Sequence, residues 1–115
     1  MNNDFINHWN IDTSFSKYLV GFENHGGQTF FTTNNSEQKP IGKVISGFGN
    51  NSREKVEGLF YKNIIGSYCH GSLLPKNPHL ADALIEKVIG KKLEKLKDLE
   101  EKQAHDFIIA ERKTN

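Results

Sequence analysis

The residues best suited to chemistry in this 115-residue chain are five histidines, at positions 8, 25, 70, 79 and 105, and a single cysteine, Cys69. Imidazole titrates near neutral pH, so it can take a proton and return it within one reaction cycle. A thiolate is a nucleophile. Cys69 and His70 are adjacent, however, and neighbours on an extended strand point to opposite faces. His70 is therefore poorly placed to deprotonate Cys69, which reads instead as a small buried side chain. His70 follows the apolar run Asn63–Cys69 and precedes Gly71. An imidazole just past the end of a strand sits where α/β proteins commonly place ligand groups. Glu23 and His25 form a second acid–imidazole pair, beside the turn-forming Gly26-Gly27. They either line the same cleft or simply hold a turn.

Other chemistries are excluded by pattern. No H-x-x-x-H or C-x-x-C pair exists for structural zinc. There is no G-x-G-x-x-G, no G-K-[ST] phosphate loop and no G-x-S-x-G elbow. Fifteen Lys+Arg against fourteen Asp+Glu leave a formal charge of +1, with none of the basic excess that draws a protein onto nucleic acid. One cysteine forbids an internal disulfide and suits a reducing compartment. No apolar run approaches the ~20 residues of a membrane-spanning helix. Met1-Asn2-Asn3-Asp4 lacks the basic and apolar regions of a signal peptide. The expected location is the cytoplasm.

The elements that must hold these residues come in two kinds. Tyr18–Phe22, Gln28–Thr33, Lys43–Phe48, Glu57–Tyr61 and Asn63–Cys69 are β-branched, aromatic or apolar and read as short strands. The last carries more apolar bulk than Glu57–Tyr61 and is expected to lie deeper in the sheet. Asp12-Thr13-Ser14, Asn34–Pro40 and Gly49-Asn50-Asn51-Ser52 read as turns or loops. From Asn77 the period becomes helical. Asn77 suits an N-cap and Pro78 the first helical position. Leu80, Leu84, Ile85, Val88, Ile89, Leu93 and Leu96 follow at helical spacing, and Gly90 is a point of breakage or bending. Residues 98–113 are helix-permissive, with Phe107, Ile108 and Ile109 as an apolar cluster. No helix is expected before Asn77. The chain thus divides into a strand-rich part, 15–72, and a helical part, 77–113. Charge divides it likewise: residues 76–115 hold more charged groups than all of residues 1–75. Strands covered by one helical segment leave a face or an edge open, which suggests part of a larger α/β fold.

Three segments together resemble a known family. Gly21-Phe22-Glu23-Asn24-His25-Gly26-Gly27 is similar to the G-[FY]-E-x-H-x-G element of the cobyric-acid-synthase-like class I glutamine amidotransferases. Gly47-Phe48-Gly49-Asn50-Asn51 and the stretch from Tyr61 through His70 to Asn77 resemble, within that class, the amidotransferase subunits of lipid II isoglutaminyl synthases. The likeness runs from about residue 15 to the C-terminus. It implies a flavodoxin-like α/β domain in which a cysteine on an elbow attacks glutamine. A histidine of the Y-x-H-G segment, His70 here, takes the thiol proton and gives it to the departing ammonia. It implies further that the ammonia passes to a Mur-ligase-like subunit, which uses ATP and acts on lipid II to amidate the D-glutamate of peptidoglycan. No cofactor or metal is implied for the amidotransferase itself.

Departures from the family pattern shape the expected function. The nucleophilic cysteine and a glutamine-binding arginine belong upstream of the Gly21 element, where this chain has neither. Cys69 stands where the family usually carries an apolar residue. Ser72 stands where many class I amidotransferases carry a glutamate. Typical members are about twice this length, so the chain resembles a C-terminal portion that holds the histidine without the thiol. It is expected to be inactive alone and poorly soluble or oligomeric. Two further readings stand beside this one: a non-catalytic module docking the ligase subunit through its sheet edge and Lys-rich helix, and a small binding domain with a histidine-lined pocket.

Overall fold

The computed structural model describes residues 1–31 and 37–113. It opens with a helix, α1 (Asn3–Trp9), where none was expected. Phe5 and Trp9 stand one turn apart on its inner face and are both buried. Asn10 ends it in the left-handed conformation, with φ 52°. The amides of Asn10 and Ile11 close back on the carbonyls of Asn7 and Ile6, which is a Schellman arrangement with asparagine in place of glycine. Polar composition hid a short helix whose stability comes from two aromatic side chains and a tight C-terminal lock.

Among the described residues the strands are fewer and shorter than expected. β1 (Gly42–Lys43) pairs antiparallel with β2 (Val56–Glu57), and β3 (Leu59–Tyr61) with β4 (Ile64–Gly66). Only Lys43 of the Lys43–Phe48 stretch enters a ladder. Of Tyr18–Phe22, Phe22 alone makes a bridge, to His70. Gln28–Phe31 enters no ladder, and Thr29 N donates to the Asn50 carbonyl at 2.7 Å. Thr32, Thr33 and Asn34–Ser36 lie outside the described residues. β4 is not the deeper strand: Ile64 is exposed, and Phe60 of β3 is the buried member of that hairpin. Phe60 pairs with Ile65, so both face the core while Tyr61 and Ile64 face away.

Two buried asparagines do work that strands would otherwise do. Asn50 donates to Gly58 O (2.8 Å) and accepts from Gly58 N (2.6 Å). Asn77 accepts from Val20 N (2.8 Å) and donates to Val20 O and Leu73 O (2.7 Å each). Asn77 makes no side-chain capping bond, although it occupies the N-cap position. Each amide thus mimics a backbone partner and satisfies buried N–H and C=O groups.

Two helices follow a short one. α2 (Leu73–Lys76) leads into α3 (Pro78–Ile89), which Gly90 ends at φ 73°. Leu93 and Leu96 therefore lie beyond the helix, and Leu96 is exposed. The core gathers Phe5, Trp9, Ile11, Ile41, Phe60, Leu80 and Ala83, so α1, the β3–β4 hairpin and α3 meet there. α4 (Leu99–Lys113) is mostly charged, and Phe107 faces outward. Among its described side chains the buried one is His105, which anchors it; of the expected apolar cluster Phe107–Ile109, Phe107 is exposed.

That anchor is polar. His105 Nδ1 bonds the Lys76 carbonyl and Nε2 the Ser16 hydroxyl, both at 2.8 Å. His79 Nε2 bonds the Tyr18 carbonyl at 2.8 Å, and its ring meets His105 edge-on with centroids 5.2 Å apart. Phe15 packs against both rings. A neutral His105 satisfies both partners, with Nδ1–H donating to Lys76 and Nε2 accepting from Ser16. Burial pushes the pKa of each imidazole below its ordinary value. Two of the five histidines are thus structural.

Candidate functional site

The Phe22–His70 bridge brings the two motif segments side by side. Phe22 N donates to His70 O at 2.9 Å and His70 N to Phe22 O at 3.0 Å. The pairing is antiparallel, so residues just after Phe22 lie beside residues just before His70. The consequence is visible in the side chains. His25 lies flat on Tyr68, with ring centroids 3.8 Å apart and planes within 12°. Tyr68 shares a 2.6 Å hydrogen bond with the Thr29 hydroxyl.

Glu23 and His25 come together as a pair. Glu23 Oε2 lies 3.9 Å from His25 Nε2. The Glu23 carboxylate also accepts backbone bonds from Phe48 N (3.0 Å) and Gly49 N (2.9 Å). It therefore ties the first motif to the Gly47–Gly49 turn, where Gly47 and Gly49 both adopt positive φ. His25 Nδ1 donates to Gly27 O at 2.7 Å. Glu23 and His25 fix their loops, and they also line an open groove of about 420 Å3 with Asn24, Phe48 and Asn51.

His70 stands next to that groove, on the adjoining strand, rather than in its lining. Its side chain is exposed and its ring meets Phe22 edge-on at 5.6 Å. Among the described residues no carboxylate orients this ring. Ser72 sits at the N-cap position of α2 and makes no capping bond there. The imidazole is thus open to a group approaching from outside the chain.

Cys69 is not part of the site. A side chain on Gly21 would meet the Cys69 Cβ at 2.6 Å, so the two backbones are in close contact there. Burial first, then the charges of Glu57 and Glu23, push the thiol up to about 12. At neutral pH it is a thiol and not a nucleophile. Tyr68 and Glu57 are the residues that pattern reading passed over. Tyr68 was signalled by its place two positions before His70. Glu57 carried no signal, since a lone glutamate in a short strand reads as solvent-facing. Among the described residues, no three His, Cys, Asp or Glu side chains gather as a metal ion would need.

The motif residues fall within one known family. The profile of the CobB/CobQ-like glutamine amidotransferase domain matches residues 4–78, which include α1, the Glu23–His25 segment and His70. The chain belongs to this amidotransferase family. It is 46% identical over 74 residues to the GatD subunit of a lipid II isoglutaminyl synthase (glutamine-hydrolyzing) from Staphylococcus aureus (strain N315). It is 44% identical over 92 residues to the subunit of the same name from Streptococcus pneumoniae (strain ATCC BAA-255 / R6). These alignments take in 64% and 79% of this chain but 28% and 34% of the relatives. The chain thus matches about a third of the length of each amidotransferase subunit. The family match begins at residue 4, earlier than residue 15, because α1 is part of the domain, and it ends at Pro78, at the start of α3.

Proposed function

We propose that this chain supplies the acid–base half of a glutamine-hydrolysing site. The observation that carries the reading is His70, exposed four residues beyond β4 and braced through its bridge to Phe22 beside the Glu23–His25–Tyr68 cluster. In this reading a thiol from outside these 115 residues approaches His70. The imidazole takes the thiol proton as sulfur attacks the carboxamide carbon of glutamine, and returns that proton to the departing ammonia. A water then releases glutamate and restores the thiol. The region that carries the thiol also supplies the arginine that clamps glutamine and the remaining strands of a flavodoxin-like α/β domain. The relatives' names support lipid II isoglutaminyl synthesis as the setting. In this reading the ammonia passes to an ATP-using, Mur-ligase-like subunit in the cytoplasm. Among the described residues, no helix is long and apolar enough to cross a membrane.

The test is ammonia release from glutamine by this chain alone and by this chain mixed with the thiol-bearing N-terminal region of the Staphylococcus aureus relative. Activity in the mixture alone, abolished by His70→Ala, supports the proposal. Activity from the chain alone, or activity that survives His70→Ala, overturns it.

A second reading rests on α3, whose Ile85, Val88 and Ile89 are exposed on one helix. There the chain is a docking module that binds the ligase-like subunit without catalysis. Tight binding to that subunit with no hydrolysis in any mixture would favour it.

A further inference from the structure

The carboxylate of Glu57 sits where three consecutive residues before His70 converge. Glu57 is at the end of β2 and is 8% exposed. Its Oε1 accepts from the Ser67 hydroxyl and from Tyr68 N, both at 2.7 Å. Ser67 Oγ in turn accepts from Cys69 N at 2.9 Å. Oε2 is buried without a hydrogen bond. A buried carboxylate is costly to desolvate, and such groups are kept where their bonds hold something in place.

What Glu57 holds is the approach to the site. β4 ends at Gly66, so residues 67–69 have no ladder of their own. The next backbone pairing is at His70 itself. Between those points the chain is held by Glu57, by the stack of Tyr68 on His25, by the Tyr68–Thr29 hydroxyl bond and by the close packing of Cys69 on Gly21. Because Glu57 binds Tyr68 through its amide, it also sets where the Tyr68 ring meets His25. Among the described residues no carboxylate touches His70, so its orientation comes through its backbone bridge and its edge-on contact with Phe22.

We infer that Glu57 is the positioning residue of the site, fixing the Ser67–Cys69 segment so that Tyr68 stacks on His25 and His70 presents its imidazole outward. This rests on the reading of His70 as the acid–base group. Glu57 acts on the reaction through His70 and touches no substrate. Its geometric role also stands apart from catalysis, which makes the two separable.

The experiment uses isotopically labelled full-length chain and its variants Glu57→Gln, Glu57→Ala and Ser67→Ala. Glutamine retains an oxygen that can accept both bonds, alanine retains neither, and Ser67→Ala removes one while sparing the buried carboxylate. In amide and imidazole NMR spectra, Glu57→Ala is expected to move signals of residues 67–70 and of His25, leaving those of α1 and α3 in place. Glu57→Gln should restore them, and Ser67→Ala should give a smaller displacement of the same set. In the mixture with the thiol-bearing region, Glu57→Ala should lower kcat at least tenfold with KM within twofold. Glu57→Gln should stay within threefold of the parent.

Unmoved His25, Tyr68 and His70 signals in Glu57→Ala overturn the inference. So does a general collapse of the spectrum in both Glu57→Ala and Ser67→Ala, which would make Glu57 a support of the whole fold. If the mixture hydrolyses glutamine but His70→Ala does not reduce it, the acid–base reading fails while the NMR arm still decides the placement. If His70→Ala abolishes turnover and Glu57→Ala leaves kcat unchanged, the positioning role is overturned and the acid–base reading stands.

Discussion

Gly21 lies against Cys69 so closely that a methyl group on it would meet the Cys69 Cβ at 2.6 Å and its Cα at 3.1 Å. This contact is next door to the Phe22–His70 bridge, so the separation of the two motif segments is set by the missing side chain. Gly21→Ala must push the Cys69 backbone away. Overpacking of this kind costs roughly 1–3 kcal/mol. Urea unfolding should show the loss, and the amide of His70 should exchange faster as its bond to Phe22 O lengthens. Adding Cys69→Gly should recover part of the stability, because it removes the atom struck first. Additive losses in the double variant would show that the two positions do not touch.

Acid should destabilise the fold through His79 and His105. Burial lowers the pKa of both imidazoles from their ordinary 6.5. The unfolded chain therefore binds more protons than the folded one once the pH falls below about 6.5. The contribution to stability is complete above that value and is lost as the pH drops toward the lowered pKa values. Protonating His79 would also place an N–H at Nδ1, which is buried with no partner. Denaturant midpoints measured from pH 7 down to pH 5 should fall steadily. His105→Gln should reduce that slope by less than one proton per molecule. It should also loosen α4, visible as faster amide exchange along residues 99–113. An unchanged slope would place the titrating groups elsewhere.

Cys69 should be inert in the folded chain. With its thiol pushed up to about 12 from 9.0, it carries about a thousandfold less thiolate at neutral pH than an ordinary cysteine. Alkylation by iodoacetamide at pH 7.5 should be slow in buffer and fast in denaturant. Cys69→Ala should leave hydrolysis by the reconstituted mixture unchanged. Rapid native-state labelling would reopen Cys69 as a nucleophile.

How much of this was legible in the sequence depends on which interactions carry each element. α3 could be read because Pro78 and Gly90 mark its two ends chemically. The histidine segment could be read because its motif is long. α1 was hidden because Phe5 and Trp9 are only two apolar marks in a polar stretch, too few to establish a period. The strands were overextended because β-propensity reports what fits a pleated surface, while pairing here is taken over by Asn50 and Asn77. The docking of α4 could not be read at all. A histidine on a charged helix reads as solvent-facing, and its partners, Ser16 and the Lys76 carbonyl, are far away in sequence.

Exposed apolar side chains make the last prediction. Ile45 and Val88 are 78% and 85% exposed, and Phe48, Leu96, Leu99 and Phe107 are also open to solvent. They lie on the Gly47 turn, on α3 and α4 and on the connection between those helices, so no single element accounts for them. Each is worth roughly 1.5–3 kcal/mol when fully covered, which is large against the 5–15 kcal/mol stability of a small domain. The isolated chain should therefore self-associate with increasing concentration in sedimentation velocity. Val88→Lys and Ile45→Lys should each weaken that association without changing helix content. If the turn face is the one completed by a thiol-bearing partner, adding that partner should protect Ile45 and Phe48 from exchange and leave Val88 open. A chain that stays monomeric to about 100 μM, well into the micromolar-to-millimolar range in which exposed apolar surface drives aggregation, would show that these side chains need no cover.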